Sequence, residues 1–323
     1  MKLIELKLAL NNTFKPKTVY VIFEETFWRL YSLKKFLFSL VILLLFPIFI
    51  INLNPLDYVM FGSISIKQTI IIYSSNLVYP IYFWTFGLAY ASIISSMGAP
   101  LISNEVRSGT ILQLVSTPIK RESIFLGKYL GLFFYNMILA IFSLLTISYY
   151  TVFNFSQNFI HLIALIPFIG FAFLYSVLIN FLFTSITMAL SSIMEKSRNV
   201  ALSVIFLTLF AFLGLSSIGQ FISDVYIVLQ LYHIDLGYHM ANIYIFFIES
   251  SNLIPPDYWQ DFFIASRVFK SASSIDSDQN INIEGLEKTN YYPPELSLII
   301  WLGISISLLI YGIYHLKKQD FSV

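Results

Sequence analysis

The chain has 323 residues, of which 57% are hydrophobic, 18% aromatic and only 11% charged, with a net charge of +1 and a mean hydropathy of +0.77. Soluble domains carry about 25% charged residues, so a soluble globular class is excluded. No cysteine is present, which removes disulfides, zinc thiolates, iron–sulfur clusters and cysteine nucleophiles.

The charges that remain leave long gaps: none falls between Lys35 and Asp57, Lys67 and Glu105, Lys128 and Glu195, Arg198 and Asp224, or Glu295 and Lys317. A helix crosses the hydrocarbon core with ~20 apolar residues at ~1.5 Å each, so four gaps hold one span apiece and the gap after Lys128 holds two. The expected fold is all-α: a polytopic membrane protein with six transmembrane helices.

In chain order, residues 1–35 form a cytoplasmic N-terminus in which TVYVIFEETFWRLYSLKK places Val19, Ile22, Phe23, Phe27 and Leu30 at helical spacing. Glu25, Arg29 and Ser32 lie opposite, and Trp28 and Tyr31 flank the stripe, which reads as an amphipathic helix lying in the membrane interface. The first span, about 36–53, ends in Asn52-Leu53-Asn54-Pro55 rather than a small-x-small cleavage site and is expected to stay as a signal anchor. The second, about 72–99, carries Gly87, Ala89, Ala91, Ser92, Ser95, Ser96 and Gly98, a candidate helix–helix contact face. Spans three and four, about 129–152 and 160–190, are joined by a short outer turn containing Asn154-Phe155-Ser156. Span five runs about 200–222 and span six about 296–315, the latter leading into a tail that ends the 296–323 segment. Between them, residues 224–295 read as an extracellular loop whose first half has apolar runs too short to cross, suited to re-entrant helices.

Short basic loops stay in the cytoplasm. Placing 1–35, 101–128, 193–199 and 316–323 inside leaves only Lys67, Arg267, Lys270 and Lys288 outside, so both termini are expected in the cytoplasm of a cell-membrane protein. A seventh crossing by 225–248 would reverse Lys317 and Lys318 and bury Asp235 at about 2.5–3.5 kcal/mol.

The inner connection 101–128 carries the most information. Glu105-Val106-Arg107-Ser108-Gly109-Thr110 is charged at its start, and Ser116-Thr117-Pro118-Ile119-Lys120-Arg121 ends in a cap-and-proline pair, with Gly127-Lys128 beyond. Thr117 can cap the next helix while Pro118 takes its first turn, and Lys120, Arg121 and Lys128 would then sit at the headgroups. The pattern Glu-x-x-x-Gly-Thr, then Leu, Ser-Thr-Pro-Ile-x-Arg and Gly-Lys, resembles the inner loop of ABC type-2 permeases, the membrane subunits of ATP-binding-cassette exporters. The resemblance implies a coupling helix that docks on a cytosolic ATPase, with Glu105, Val106, Arg107, Gly109 and Thr110 in contact and Thr117 and Pro118 as a hinge. It also implies a shorter contact at Glu195 and Arg198, a second permease copy or similar chain as partner, and ATP with Mg held by the ATPase.

The chain lacks G-x-x-x-x-G-K-[ST], since Gly127-Lys128 is followed by Tyr129, so it is expected to bind no cofactor itself and not to be an enzyme. No catalytic residue, metal ligand or nucleic-acid partner is expected, and lipid is the surrounding solvent. Other readings compete with ATP-driven transport. Glu24-Glu25-Thr26-Phe27-Trp28-Arg29 matches an intramembrane protease motif, E-E-x-x-x-R, but no histidine has Phe four residues before it or Asn four after, and Glu25 and Arg29 read more simply as an i,i+4 pair. His233, Asp235 and His239 have no recognised metal-ligand spacing. An ATP-independent scaffold also fits the spans. Because those spans lack carboxylates, an ion-coupled carrier does not.

Overall fold

In the computed structural model, which describes residues 16–53, 66–109, 119–155, 158–214, 223–251, 263–264, 266–269 and 288–318, the described parts of every long charge-free stretch are almost entirely helical. Six helices among the described residues are long and apolar enough to cross a membrane. The element order is α1 (Pro16–Leu30), α2 (Leu33–Leu53), α3 (Ile66–Pro80), α4 (Tyr90–Gly98), α5 (Pro100–Arg107), α6 (Arg121–Phe155), α7 (Phe159–Ala164), α8 (Ile166–Ile193), α9 (Ser197–Leu209), α10 (Ser223–Val228), α11 (Leu236–Ser250) and α12 (Pro294–Lys318). A nine-residue π-helix, Ile81–Ala89, joins α3 to α4, and a π-turn, Phe210–Gly214, ends α9.

Hydrogen bonds and ion pairs between distant residues fix the direction of each span. At one end, the Ser191 hydroxyl of α8 donates to the Ala99 carbonyl at 2.8 Å and accepts from the Ser103 N–H at 3.1 Å. At that end too, Arg121 donates to the Leu316 and Lys317 carbonyls of α12, and Glu122 pairs with Lys317 at 3.0 Å. At the other end, Tyr150 of α6 donates to Asn52 of α2 at 2.9 Å, and Tyr244 of α11 to the Val78 carbonyl at 2.9 Å. The six spans therefore alternate, and α1 and the end of α12 share the Arg121 end.

Second-span residues are the most thoroughly buried of the six, because their small side chains let neighbours approach. A Cβ on Gly98 would stand 2.6 Å from Leu132 and 2.8 Å from Thr187, so this face contacts α6 and α8, and Ser96 alone of the named small residues is exposed. Pro47 inside α2 has no N–H for the Leu43 carbonyl four residues earlier. In hydrocarbon that acceptor needs another donor. Thr85 of the π-helix donates to the Leu43 oxygen at 3.3 Å, and Trp84 to that of Ile42 at 2.8 Å.

The first helix differs from the sequence-based picture of a free interfacial stripe. Its buried positions are Val19, Ile22, Thr26 and Leu30, while Phe23 and Phe27 are only half-buried. The reason is Gly127-Lys128-Tyr129-Leu130-Gly131 on α6, whose glycines open a groove. A Cβ at Gly127 would lie 2.6 Å from the Ile22 Cβ, and one at Gly131 2.8 Å from the Thr26 Cβ. Trp28 stays 60% exposed on the other side.

The segment before the sixth span is also more integrated than a surface loop. Tyr82 donates to the Gly237 carbonyl at 3.1 Å, and a Cβ on Gly237 would meet the Ala211 carbonyl at 2.2 Å. Helix α11 thus starts between the π-segments of spans two and five and runs outwards to Val78. Ser156 of the outer Asn154-Phe155-Ser156 turn lies outside the described residues.

The glycine groove gives a stability test. Gly131→Ala forces the Thr26 Cβ aside and is expected to cost about 1–3 kcal/mol, read as a lower melting temperature in detergent. Combining it with Thr26→Gly should recover part of the loss.

Candidate functional site

At the Arg121 end, three elements meet on one carboxylate. Span two does not stop at residue 99; Pro100 occupies the first turn of α5, where its missing N–H is tolerated, and the helix runs on to Arg107. It ends at Gly109, whose φ of 70° is the left-handed conformation glycine supplies without strain, while the Ser108 N–H returns to the Asn104 carbonyl at 2.9 Å. Gly109 therefore terminates a helix, which fixes the position of Glu105 one turn earlier.

Glu105 is 14% exposed and accepts from two cations. Arg29 of α1 donates to its Oε1 at 3.1 Å, and Lys128 of α6 donates to its Oε2. Lys128 is 4% exposed, and its Nζ also donates to the Leu101 carbonyl at 2.7 Å. An ammonium this buried is tolerated only with such partners. The sequence placed Lys128 at the headgroups and Arg29 on Glu25. The structure redirects both side chains: Lys128, two turns inside α6 on the same face as Phe125 and Leu132, is buried against α5 and not solvated, and Arg29 turns across to α5.

The other sequence candidates are distributed around this junction. Val106 is half-buried against the core, Arg107 is exposed, and Glu195 and Arg198 are exposed at the link between α8 and α9. Helix α5 packs on both α8 and α9, so the end of span two stands beside the link between those helices. Thr110, Thr117 and Pro118 lie outside the described residues. Residue-by-residue reading missed Arg29, Lys128, Ser103 and Ser191 as parts of this junction. The available signal was a lysine inside an otherwise apolar helical face.

The two remaining clusters are structural. Glu24 and Glu25 are exposed on α1. Asp235 is fully buried and caps α11: its Oδ1 accepts from the Tyr238 N–H at 3.2 Å and its Oδ2 from the Tyr226 hydroxyl at 2.8 Å. Burial raises its pKa against the pull of those donors. His239 instead faces Ser297 of α12, Nδ1 to Oγ at 2.8 Å, with Nε2 3.2 Å from the His233 carbonyl. Among the described residues no three His, Asp or Glu side chains converge to hold a metal.

Two predictions follow from these geometries. Lys128→Met leaves Glu105 with Arg29 alone and is expected to cost about 2–4 kcal/mol, below the full buried-pair figure because Glu105 is partly exposed. Lys128→Met/Glu105→Gln should recover most of that in a denaturation cycle. Burial lowers the His239 pKa, so the neutral ring is the folded form. Its contribution is complete above the ordinary value of 6.5 and is lost as pH falls through it, at up to about 1.4 kcal/mol per pH unit. Asp235, whose pKa is raised by burial, contributes with the opposite sign, its folded form gaining stability as pH falls through the raised value. Melting between pH 7.5 and 5.5 should fall in the wild type and flatten in His239→Gln.

Compared with known families, residues 34–320 match the one described as ABC-2 family transporter protein. Compared with curated proteins, the chain has no match.

Proposed function

The chain belongs to the ABC-2 family of transporter proteins, and we propose that it is the membrane-spanning permease subunit of an ATP-driven exporter, powered by a separate cytosolic ATPase. The Arg121 end is then the cytoplasmic one, since Arg29, Lys34, Lys35, Arg107, Lys120, Arg121, Lys196, Arg198, Lys317 and Lys318 all gather there. Both termini lie in the cytoplasm and residues 224–295 outside.

The observation that carries this reading is the Glu105 junction. A force applied beyond Arg107 acts on a helix that is continuous with span two, ionically tied to span three through Lys128 and to α1 through Arg29. Ser191 adds span four by its bond to Ala99. Closing of an ATPase pair on ATP and Mg would move these elements together, and the ATPase's differential affinity for one permease state supplies the shift. Exposed Arg107, Glu195 and Arg198 are the groups that meet the ATPase, with Thr110, Thr117 and Pro118 leading into span three. A second copy of this chain, or a similar chain, completes the translocation path.

The test uses exposed residues, since Glu105 also holds the fold. An ATP-hydrolysing subunit should copurify with the full chain from its native membranes. Arg107→Glu and Arg198→Glu should each lower its retention and the ATP-driven transport by on the order of tenfold, with melting unchanged. A chain that purifies without an ATPase, or retains it through both reversals with transport intact, overturns the reading.

A further inference from the structure

Beside the Glu105 junction a cleft of about 620 Å³ opens between the α1–α2 elbow and the α4–α5 wall. That volume lies within the ~300–1,000 Å³ of small-molecule sites. One wall is a single helical face, Met97, Leu101, Asn104 and Ser108, which passes from apolar to polar towards the loop. The opposite wall is Leu30 followed by Arg29 and Lys35. Each wall thus has an apolar end and a polar end, and the like ends face each other.

The polar end is strongly basic. Arg29, Lys35 and Arg107 line it, and the one carboxylate among the lining residues, Glu105, is already engaged by Arg29 and Lys128. Lys35 and Arg107 are exposed and carry no carboxylate partner from this lining, so this end attracts an anion. The position of the cleft says which kind: Phe38, one turn beyond Lys35, is 68% exposed, and Leu37 beside it is 49% exposed on the outer face of α2. These residues face acyl chains, so the mouth of the cleft lies where headgroups meet hydrocarbon. Basic pockets between helices at that depth take lipid headgroups.

We propose that this cleft binds one anionic phospholipid from the adjacent leaflet, its phosphate between Lys35 and Arg107 and the start of its acyl chains against the half-buried Met97 and, at the mouth, the exposed Leu37 and Phe38. A soluble phosphate would satisfy the basic end and leave these apolar side chains uncovered. The lipid fastens the α1–α2 elbow to the end of span two, beside the ionic junction and independently of it. The site shares Arg107 with the proposed ATPase contact, whereas Lys35 and Asn104 line the cleft and belong to no part of that contact, so variants at those two positions test the cleft alone.

Native mass spectrometry of the full-length protein, released from mixed micelles holding equal phosphatidylglycerol and phosphatidylcholine, tests this. One phosphatidylglycerol per chain should be retained in preference to phosphatidylcholine. Lys35→Gln/Asn104→Leu should reduce that retention by on the order of tenfold, while Lys35→Arg keeps it and a melting curve checks the fold. Addition of inorganic phosphate should not displace the lipid. Equal retention of both lipids, retention unaffected by the double variant, or complete displacement by phosphate overturns the proposal. So does loss of a copurifying protein on Lys35→Gln with lipid retention unchanged, which would make the cleft a protein contact.

Discussion

A lysine buried at the end of a membrane bundle must find a carboxylate, and that single demand organises the Arg121 end of this protein. Lys128 lies two turns inside α6 with its ammonium out of reach of water, so Glu105 has to come to it. For Glu105 to arrive, span two must continue as helix beyond Pro100 and stop cleanly afterwards, which the left-handed Gly109 ensures. Arg29 then shares the carboxylate and brings the last turn of α1 to the same point. The seat of α1, the end of span two and the basic cleft all follow from where one ammonium was placed.

The deeper half is governed by backbone hydrogen bonding instead. Hydrocarbon offers no donors, so a proline inside a span leaves a carbonyl that another helix has to satisfy. Pro47 does this to α2, and Thr85 and Trp84 answer from the π-helix of span two. A π-helix is wider than an α-helix and uncommon at this length. Here its widening also admits Phe212 against Gly87 and Tyr82 against Gly237, so the π-segments of spans two and five and the start of α11 form one junction. All six spans of an ABC-2 permease are present, and two of them depart from regular helix where they meet.

The spans were legible because a charge gap is a statement about solvent, and solvent decides which segments can cross. Their ends were less so: residues 101–107 and 121–128 were assigned to the inner connection because charges interrupt them, yet they continue spans two and three as helix, since a charged residue paired across an interface does not break a helix. Arg29 was read along its own helix, the only direction the i,i+4 rule sees, whereas its partner is 76 residues away. The groove for α1 was written in plain view as Gly127 and Gly131, four apart, but nothing local to α1 says that Thr26 will fill it. Gly109 was legible as important and not as a helix stop. The π-segments carry no sequence signature beyond the neighbouring Pro80. The contacts that do the coupling in the proposed reading are relations between distant residues, and a single sequence records residues rather than relations.

That same groove has a consequence for how the protein is made. Ile22 and Thr26 leave the ribosome about a hundred residues before Gly127 and Gly131, which at ~5–20 residues per second is roughly 5–20 s of synthesis. Until span three is inserted, the amphipathic face of α1 has no glycine groove to occupy, and the bilayer surface is the natural place for it to wait. Its exposed Trp28 and Tyr20 suit it to that interim lodging. Insertion of α6 would then lift the helix from lipid to protein, making the docking of α1 a late assembly step that reports that the first three spans are correctly in place.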